Sequence, residues 1–164
     1  MCSSEVKLED MKDHIRSVHG DCVQEVSEGM QSLRIMGFSE CTAGGWGCWR
    51  AVLAVGEVFF LYSTVIDSSF YLCYMHVGCA EASSRFRYKV TLETFSTREI
   101  ASICLVCPNF TDFMIHGLRN ATCVVLPVTF VAKCVNPEGF VTLQYQISSS
   151  EDMDTNSAAV PINL

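Results

Sequence analysis

The stretch Gly44–Val65, GGWGCWRAVLAVGEVFFLYSTV, is the most apolar part of the chain and indicates its fold. Two apolar runs within it, Ala51–Val55 and Val58–Leu61, flank a Gly56-Glu57 pair. Gly in the first position of a two-residue loop allows the positive φ of a type II′ turn, so the runs predict two antiparallel strands joined as a hairpin. Apolar residues at both alternate and intervening positions favour a hairpin covered on both faces, inside an antiparallel β-sandwich.

Length and charge limit the classes of protein to which the chain can belong. A chain of 164 residues fits one domain and can bury roughly 70% of its unfolded surface. Its formal net charge of −7 leaves no Lys/Arg surface of the size that counterion release from a phosphate backbone requires. We therefore expect no nucleic-acid partner.

The first residues, MCSSEVKLEDMKDH, are polar and charged and lack the apolar region of a signal or transit peptide. Arg50 and Glu57 interrupt the most apolar stretch, so no run of about eighteen uncharged apolar residues exists. These features predict a soluble intracellular protein without a membrane partner. We expect it in the cytoplasm, with the nucleus as a second compartment.

The ten cysteines allow three interpretations: disulfides, metal ligands or small buried apolar residues. They follow no regular framework, and without a signal peptide we favour reduced, mostly buried thiols. The alternative is a secreted, disulfide-bonded β-sandwich binding protein. Two tripeptides that match the N-glycosylation sequon, beginning at Asn109 and Asn120, suit that alternative.

Residues 6–19 carry the most specific chemical pattern. Apolar residues at helical spacing predict a short amphipathic helix there, namely Leu8, Met11, Ile15 and Val18. Four residues separate His14 from His19, and Cys2 lies eleven residues before His14, as in the second half of a Cys2His2 zinc finger. The pattern predicts a partial zinc site with Cys2, His14 and His19 as ligands, its first Cys missing and its fourth position left to water or to Cys22. The alternative is a helix with two solvated histidines and an unrelated cysteine.

The remaining chain predicts further strands, short helical turns and a tail. Strands are predicted at Cys22–Val26, Ser69–Val77, Arg85–Thr94, Glu99–Cys107, Cys123–Leu126 and Phe140–Ile147. Short helical turns at 109–122 and a short apolar element at 127–134 complete the sandwich, while the segment from Ser148 onward lacks periodicity. We thus divide the chain into a partial zinc finger at 1–20, a sandwich at 21–148 and a disordered tail at 149–164.

Trp46 and Trp49 follow a Gly-rich loop and have two interpretations: a recognition platform, or a cap on one end of the sandwich. No catalytic residue is predicted. No cysteine lies in an elbow beside a histidine, and His76, within a predicted strand, is expected to be structural. Phosphate-binding, dinucleotide-binding and G-x-S-x-G motifs do not occur in the sequence.

The half finger, the segment RFRYKVTLE at 85–93 and the segments CVVLP and FVAKCVNPEGFVTLQYQIS at 123–127 and 130–148 resemble the seven-in-absentia family of ubiquitin ligases. The stretch 44–62 is similar to divergent insect members. The resemblance implies a TRAF-like β-sandwich that dimerises and recruits protein substrates by pairing an extended peptide with a sheet edge. Carried onto this chain, it implies peptide-binding positions at Gln24, Trp46 and Trp49.

The same family carries a RING with eight paired Cys/His ligands, a pattern that this chain does not contain. The resemblance therefore implies that a ubiquitin-conjugating enzyme is recruited only through a RING outside this chain. The expected role is substrate recognition in ubiquitin-dependent degradation, and enzymatic activity of this chain alone is left open.

Overall fold

The computed structural model of the chain describes residues 6–27, 29–36, 38, 47–118 and 122–150. The strands in these residues are β1 (Val23–Glu25), β2 (Gln31–Met36), β3 (Gly47–Ala54), β4 (Glu57–Ile66), β5 (Ser69–His76), β6 (Phe86–Glu93), β7 (Ile100–Val106), β8 (Val124–Pro127) and β9 (Phe140–Ser149). The helices are α1 (Met11–His19), α2 (Ala80–Ser83), α3 (Phe110–His116) and α4 (Val128–Lys133), with 3-10 turns at Leu8–Asp10 and Gly20–Cys22.

The strands form two sheets, which confirms the predicted mainly β sandwich. The first sheet has the order β1-β3-β4-β5-β8 and the second the order β2-β9-β6-β7. All strand pairs are antiparallel except β1 with β3, where Val23 to Glu25 run parallel to Ala51 to Leu53. The exception arises because the chain leaves β1 for β2, in the other sheet, before it returns to β3. No hairpin therefore fixes the direction of β1.

The main core lies between the two sheets and follows the alternation of the sequence. In β6 the residues Phe86, Tyr88, Val90 and Leu92 point inward, and they are buried while their neighbours on the strand are less so. Tyr74 of β5 stacks on Tyr145 of β9, with ring centroids 4.9 Å apart, so that aromatic side chains join the centres of both sheets. The predicted strand at Arg85–Thr94 is confirmed in position and in its inward face.

The first sheet is also covered on its outer face. Helix α1 inserts Ile15 against Ala51, Leu53 and Val58 of the β3–β4 hairpin. Helix α3 inserts Phe113 beside Cys73 and Met75 of β5. The hairpin is therefore buried on both faces, as its continuous apolar runs predict.

The turn of this hairpin differs from the prediction. Ala54 pairs with Glu57, so the loop consists of Val55 and Gly56 rather than Gly56 and Glu57. Both loop residues have positive φ, 46° and 74°, which is typical of a type I′ turn and not of type II′. A β-branched residue seldom adopts this conformation, and such strain costs on the order of 1–3 kcal/mol. The register of the long β3–β4 ladder outweighs this local preference.

The boundaries of some elements also differ from the prediction. The N-terminal helix is divided into a 3-10 turn and α1. Strand β9 continues beyond Ile147, and Ser149 pairs with Phe86. The first residues of the predicted tail join this strand because they pair with Phe86 and Arg87 at the start of β6. The tail from 151 to 164 lies outside the described residues.

Candidate functional site

A groove of about 320 Å³ lies where the edges of the two sheets meet. One wall is β1, the edge of the first sheet, and the other is β2, the edge of the second sheet. The lining residues that bear on its chemistry are Asp21, Gln24, Arg34, Met36 and Arg50. The groove is thus formed by two strands that follow each other along the chain and belong to different sheets.

Both walls offer backbone groups to a ligand. Within the described residues, β1 pairs only with β3 and β2 pairs only with β9. The amide of Val26 donates to the carbonyl of Leu53 at 2.9 Å. Because backbone hydrogen-bonding groups alternate in direction along a strand, the backbone groups of Gln24 also point toward β3. The N–H and C=O of Glu25 consequently point away from β3. An extended chain placed along β1 would find these groups available.

Gln24 lies on the groove side of the first sheet. It is in register with Val52, whose side chain is buried in the core between the sheets. Its neighbour Glu25 lies on the opposite face, where it accepts a hydrogen bond from Arg16 of α1 at 2.7 Å. The sequence-predicted position Gln24 therefore lines the groove, and Glu25 ties β1 to the helix.

Two arginines give the groove a positive character in an acidic protein. Arg50 and Arg34 both line it and are exposed, with Asp21 as the acidic residue of the lining. The guanidinium of Arg34 lies over the ring of Phe140, 4.8 Å from its centroid, which limits the positions it adopts. Neither arginine forms an ion pair with any residue that the structure describes. The arrangement suits a carboxylate on the ligand.

The structure places Trp49 elsewhere. Trp49 lies on the outer face of the first sheet, stacked on Tyr62 with ring centroids 4.4 Å apart and in edge contact with Phe113 of α3 at 6.2 Å. It is 46% exposed. Gln24 and Trp49 are therefore on opposite faces of one sheet and do not form a common site. Trp46 lies outside the described residues.

Arg34 and Arg50 are the residues that sequence reasoning missed. Arg50 stands inside the most apolar stretch, and Arg34 interrupts the apolar group that ends at Met36. An isolated charge in a strand that is otherwise apolar indicates a position where the strand meets solvent. That indication was present in the sequence, but the approach of β2 to the edge of the first sheet was not.

The predicted zinc ligands are partly brought together. The rings of His14 and His19 meet edge to face, with centroids 5.4 Å apart. Cys2 lies outside the described residues. Among those that are described, no group of three or more His, Cys, Asp or Glu side chains is arranged to hold a metal ion, and Cys22 is exposed. The described part of the chain thus offers two imidazoles to a metal.

His76 forms a buried polar group at the end of β5. Its Nδ1 lies 3.0 Å from the hydroxyl of Ser83, and its Nε2 lies 3.8 Å from a carboxylate oxygen of Glu57. Burial lowers the pKa of His76, against the opposing influence of Glu57. The Ser83 hydroxyl donates to the carbonyl of Cys79 at 2.9 Å and is itself buried. It therefore holds the α2 loop in place and is not exposed to a substrate.

A second, larger cleft of about 700 Å³ lies between α1 and the tip of the β3–β4 hairpin. Its charged groups are already engaged. Arg16 pairs with Glu25, and the ammonium of Lys12 donates to the carbonyl of Gly56. These contacts fasten α1 to the first sheet, so this cleft is less suited to an external ligand than the groove between β1 and β2.

In comparisons with known proteins, no family model and no curated protein matches the chain. Within the described residues, no helix is long and apolar enough to cross a membrane.

The eight described cysteines are all free thiols, and four of them have a pKa raised by burial, namely Cys73, Cys107, Cys123 and Cys134.

Proposed function

We propose that the chain is a protein-interaction module that binds an extended peptide segment of a partner protein in the groove between β1 and β2. The observation that carries the proposal is the meeting of two sheet edges along one groove. A peptide that adds to β1 gains main-chain hydrogen bonds, and the side chains of the groove then select among sequences. Edge pairing of this kind uses the backbone groups that Glu25 turns away from β3.

The charge of the groove defines the peptide that suits it best. Arg34 and Arg50 lack acidic partners among the described residues and can pair with Asp or Glu of the peptide. Met36, which is 65% exposed, supplies apolar surface beside them. The preferred ligand is therefore an extended segment in which an acidic residue neighbours an apolar one. The large negative charge of the whole chain, −7, disfavours peptides that are acidic throughout.

In its finer form, the proposal is that this module recognises substrates for a seven-in-absentia-type ubiquitin ligase of the cytoplasm and nucleus. The resemblance of the half finger and of the segments at 85–93 and 130–148 supports this assignment. Under this proposal the module dimerises, and the RING lies outside this chain. A zinc ion is then held by Cys2, His14 and His19. The close approach of the two imidazoles is compatible with such a zinc site.

The groove is tested by panning the immobilised full chain against a library of random peptides and measuring affinities for the peptides selected. We expect Arg50→Glu to weaken their binding by about tenfold or more, because a carboxylate would then face a carboxylate. Arg87→Glu is the matched control, since Arg87 is exposed on the outer face of the second sheet. Equal losses for both variants would contradict a site in the groove.

A backbone substitution tests the edge pairing itself. Glu25→Pro removes an N–H that points away from β3, so the β1–β3 ladder is retained. Glu25→Ala is its control, because it loses the same ion pair with Arg16 and keeps the N–H. We expect the proline variant to bind selected peptides at least about tenfold more weakly than the alanine variant. Identical affinities would mean that peptides do not pair with β1.

The zinc site has its own test. We expect the full chain purified without chelators to contain zinc, measured by atomic emission, and we expect His14→Ala and His19→Ala to lose most of it. His116→Ala is the control, because His116 is exposed at the end of α3 and is not one of the predicted ligands. Retention of zinc in both N-terminal variants would overturn the assigned ligands and leave the peptide groove unaffected.

A further inference from the structure

Two cysteines, Cys73 and Cys123, each lie one residue beyond the end of the ladder that β8 forms with β5. The register of this antiparallel pair includes Tyr71 with Val125 and Leu72 with Val124, and one further step places Cys73 opposite Cys123. Directly opposed residues in such a pair have Cα atoms about 4.5 Å or about 5.5 Å apart. Both separations lie within the range of about 4.4–6.8 Å that a disulfide spans. The Cα separation expected for this pair therefore falls within the range of a cross-strand disulfide.

The side chains are on the same face and close together. The Cys73 thiol donates to the carbonyl oxygen of Thr122 at 3.6 Å, and this carbonyl belongs to the peptide group that joins Thr122 to Cys123. Both cysteines pack in the cluster beneath α3, together with Met75 and Phe113. Both are free thiols in the structure. The pair is thus adjacent in space as well as in register.

Other cysteines are placed less well for this bond. The side chain of Cys107 is buried in the main core between the sheets, whereas Cys73 belongs to the cluster on the outer face of the first sheet. Cys104 is exposed on β7, in the second sheet. Cys107 is near enough for Cys73 to raise its pKa, but it lies in the other cluster. Among the described cysteines, Cys123 is the one that shares the cluster of Cys73.

We propose that Cys73 and Cys123 are a redox-sensitive pair that forms a reversible disulfide when peroxide is present. Cys123 is the half-buried member and reacts first. Its thiolate attacks the peroxide O–O bond, giving a sulfenic acid and hydroxide, which is protonated to water. The Cys73 thiolate then attacks the Cys123 sulfur, the S–S bond forms, and the S–O bond breaks to release a second hydroxide. The two thiols lose two electrons and two protons, and peroxide is reduced to two water molecules.

The environment of the pair sets the conditions of the reaction. Burial raises the pKa of the Cys73 thiol to about 12 and also raises that of Cys123. Because the thiolate is the reacting form, oxidation is slow at neutral pH and accelerates as the pH rises. Within the described residues β8 is an edge strand of four residues that pairs only with β5. The disulfide would fix this edge to the centre of the sheet.

The proposal is tested by treating the full chain with hydrogen peroxide, blocking the remaining thiols and mapping disulfide-linked peptides by mass spectrometry without reduction. We expect a Cys73–Cys123 linkage and a Tm raised by about 5–15 °C, both reversed by a dithiol reductant. Cys104→Ser should retain the linkage and the shift, because Cys104 is exposed in the other sheet. Cys123→Ser should lose both.

The peptide map of the unmodified sequence decides the question even where a cysteine variant fails to fold. A linkage of Cys73 to Cys107, or oxidation of Cys104 and Cys22 while Cys73 stays unlinked, would overturn the proposal. A Cys73–Cys123 linkage that leaves Tm unchanged would overturn the stated effect on β8. These outcomes do not depend on the peptide groove, since the groove lies at the opposite edge of the first sheet.

Discussion

The two sheets of the sandwich differ in what covers their outer faces. The outer face of the first sheet is covered by α1 and α3, and residues such as Met75 there are fully buried. The outer face of the second sheet carries polar side chains, including Arg87, Lys89 and Gln144, which are exposed. A sheet that is covered on both faces needs apolar residues at consecutive positions along its strands. A sheet that is covered on one face needs them only at alternate positions. The periodicity of a strand therefore indicates how many layers surround it.

The largest expected effect comes from matched substitutions on the two outer faces. Met75→Ala removes a side chain that is 0% exposed, so we expect a loss of about 2–5 kcal/mol in the free energy of unfolding. Gln144→Ala, on the exposed outer face of β9, should change it by less than about 0.5 kcal/mol. Urea unfolding followed by fluorescence measures both. Similar losses for the two variants would contradict the difference in coverage.

The pH dependence of stability offers a second test of the buried first sheet. His76 is buried neutral, and its pKa is lowered from 6.5 mainly by that burial. The unfolded chain therefore binds a proton more readily than the native chain below about pH 6.5. Stability is complete above this value and falls as the pH drops toward the lowered pKa, by at most about 1.4 kcal/mol per pH unit.

The contribution of His76 is isolated by His76→Gln, which removes the titrating group and keeps a polar side chain. We expect the free energy of unfolding of this variant to depend less on pH between 6.5 and 5 than that of the unmodified chain. The measurement is urea unfolding at several pH values. Parallel profiles for the two proteins would show that His76 is not buried in its neutral form.

The smallest expected effect concerns the turn that joins β3 and β4. Val55→Asn places an Asn-Gly pair in a type I′ turn and relieves the strain of a β-branched residue with φ of 46°. We expect a gain of about 1 kcal/mol in the free energy of unfolding. Ser68→Asn, in the β4–β5 turn where φ is 62°, is the control with a smaller gain, because Ser is not β-branched. A loss of stability on Val55→Asn would argue against the type I′ loop.

Much of the fold followed from the spacing of apolar residues. The alternation in β6 and β9 and the continuous runs in β3 and β4 gave correct strands and correct inward faces. The turn at Val55 was wrong because cross-strand register overrides local turn preference. Strand periodicity also carries no information on parallel or antiparallel direction, so the parallel pairing of β1 with β3 was not foreseen.

The candidate groove was harder to predict than the fold because it depends on which strands lie at the edges of the two sheets. Gln24 was correctly placed on β1, but the groove also requires Arg34 of β2, and only the tertiary structure brings β2 beside β1. Trp49 was chosen for its size and donor, yet its position on β3 directs it to the other face of the sheet. A single residue in a strand has two possible faces, and only the packing of neighbouring strands decides between them.

The ion pair between Arg16 and Glu25 links α1 directly to β1, the strand that forms one wall of the groove. Strand β1 has only three residues, and on its helix side Val23 shares a cluster with Ile15. Detaching the helix would thus withdraw support from the strand on which the proposed peptide would align. By thermodynamic reciprocity, occupancy of the groove would hold the helix down by the same amount of free energy.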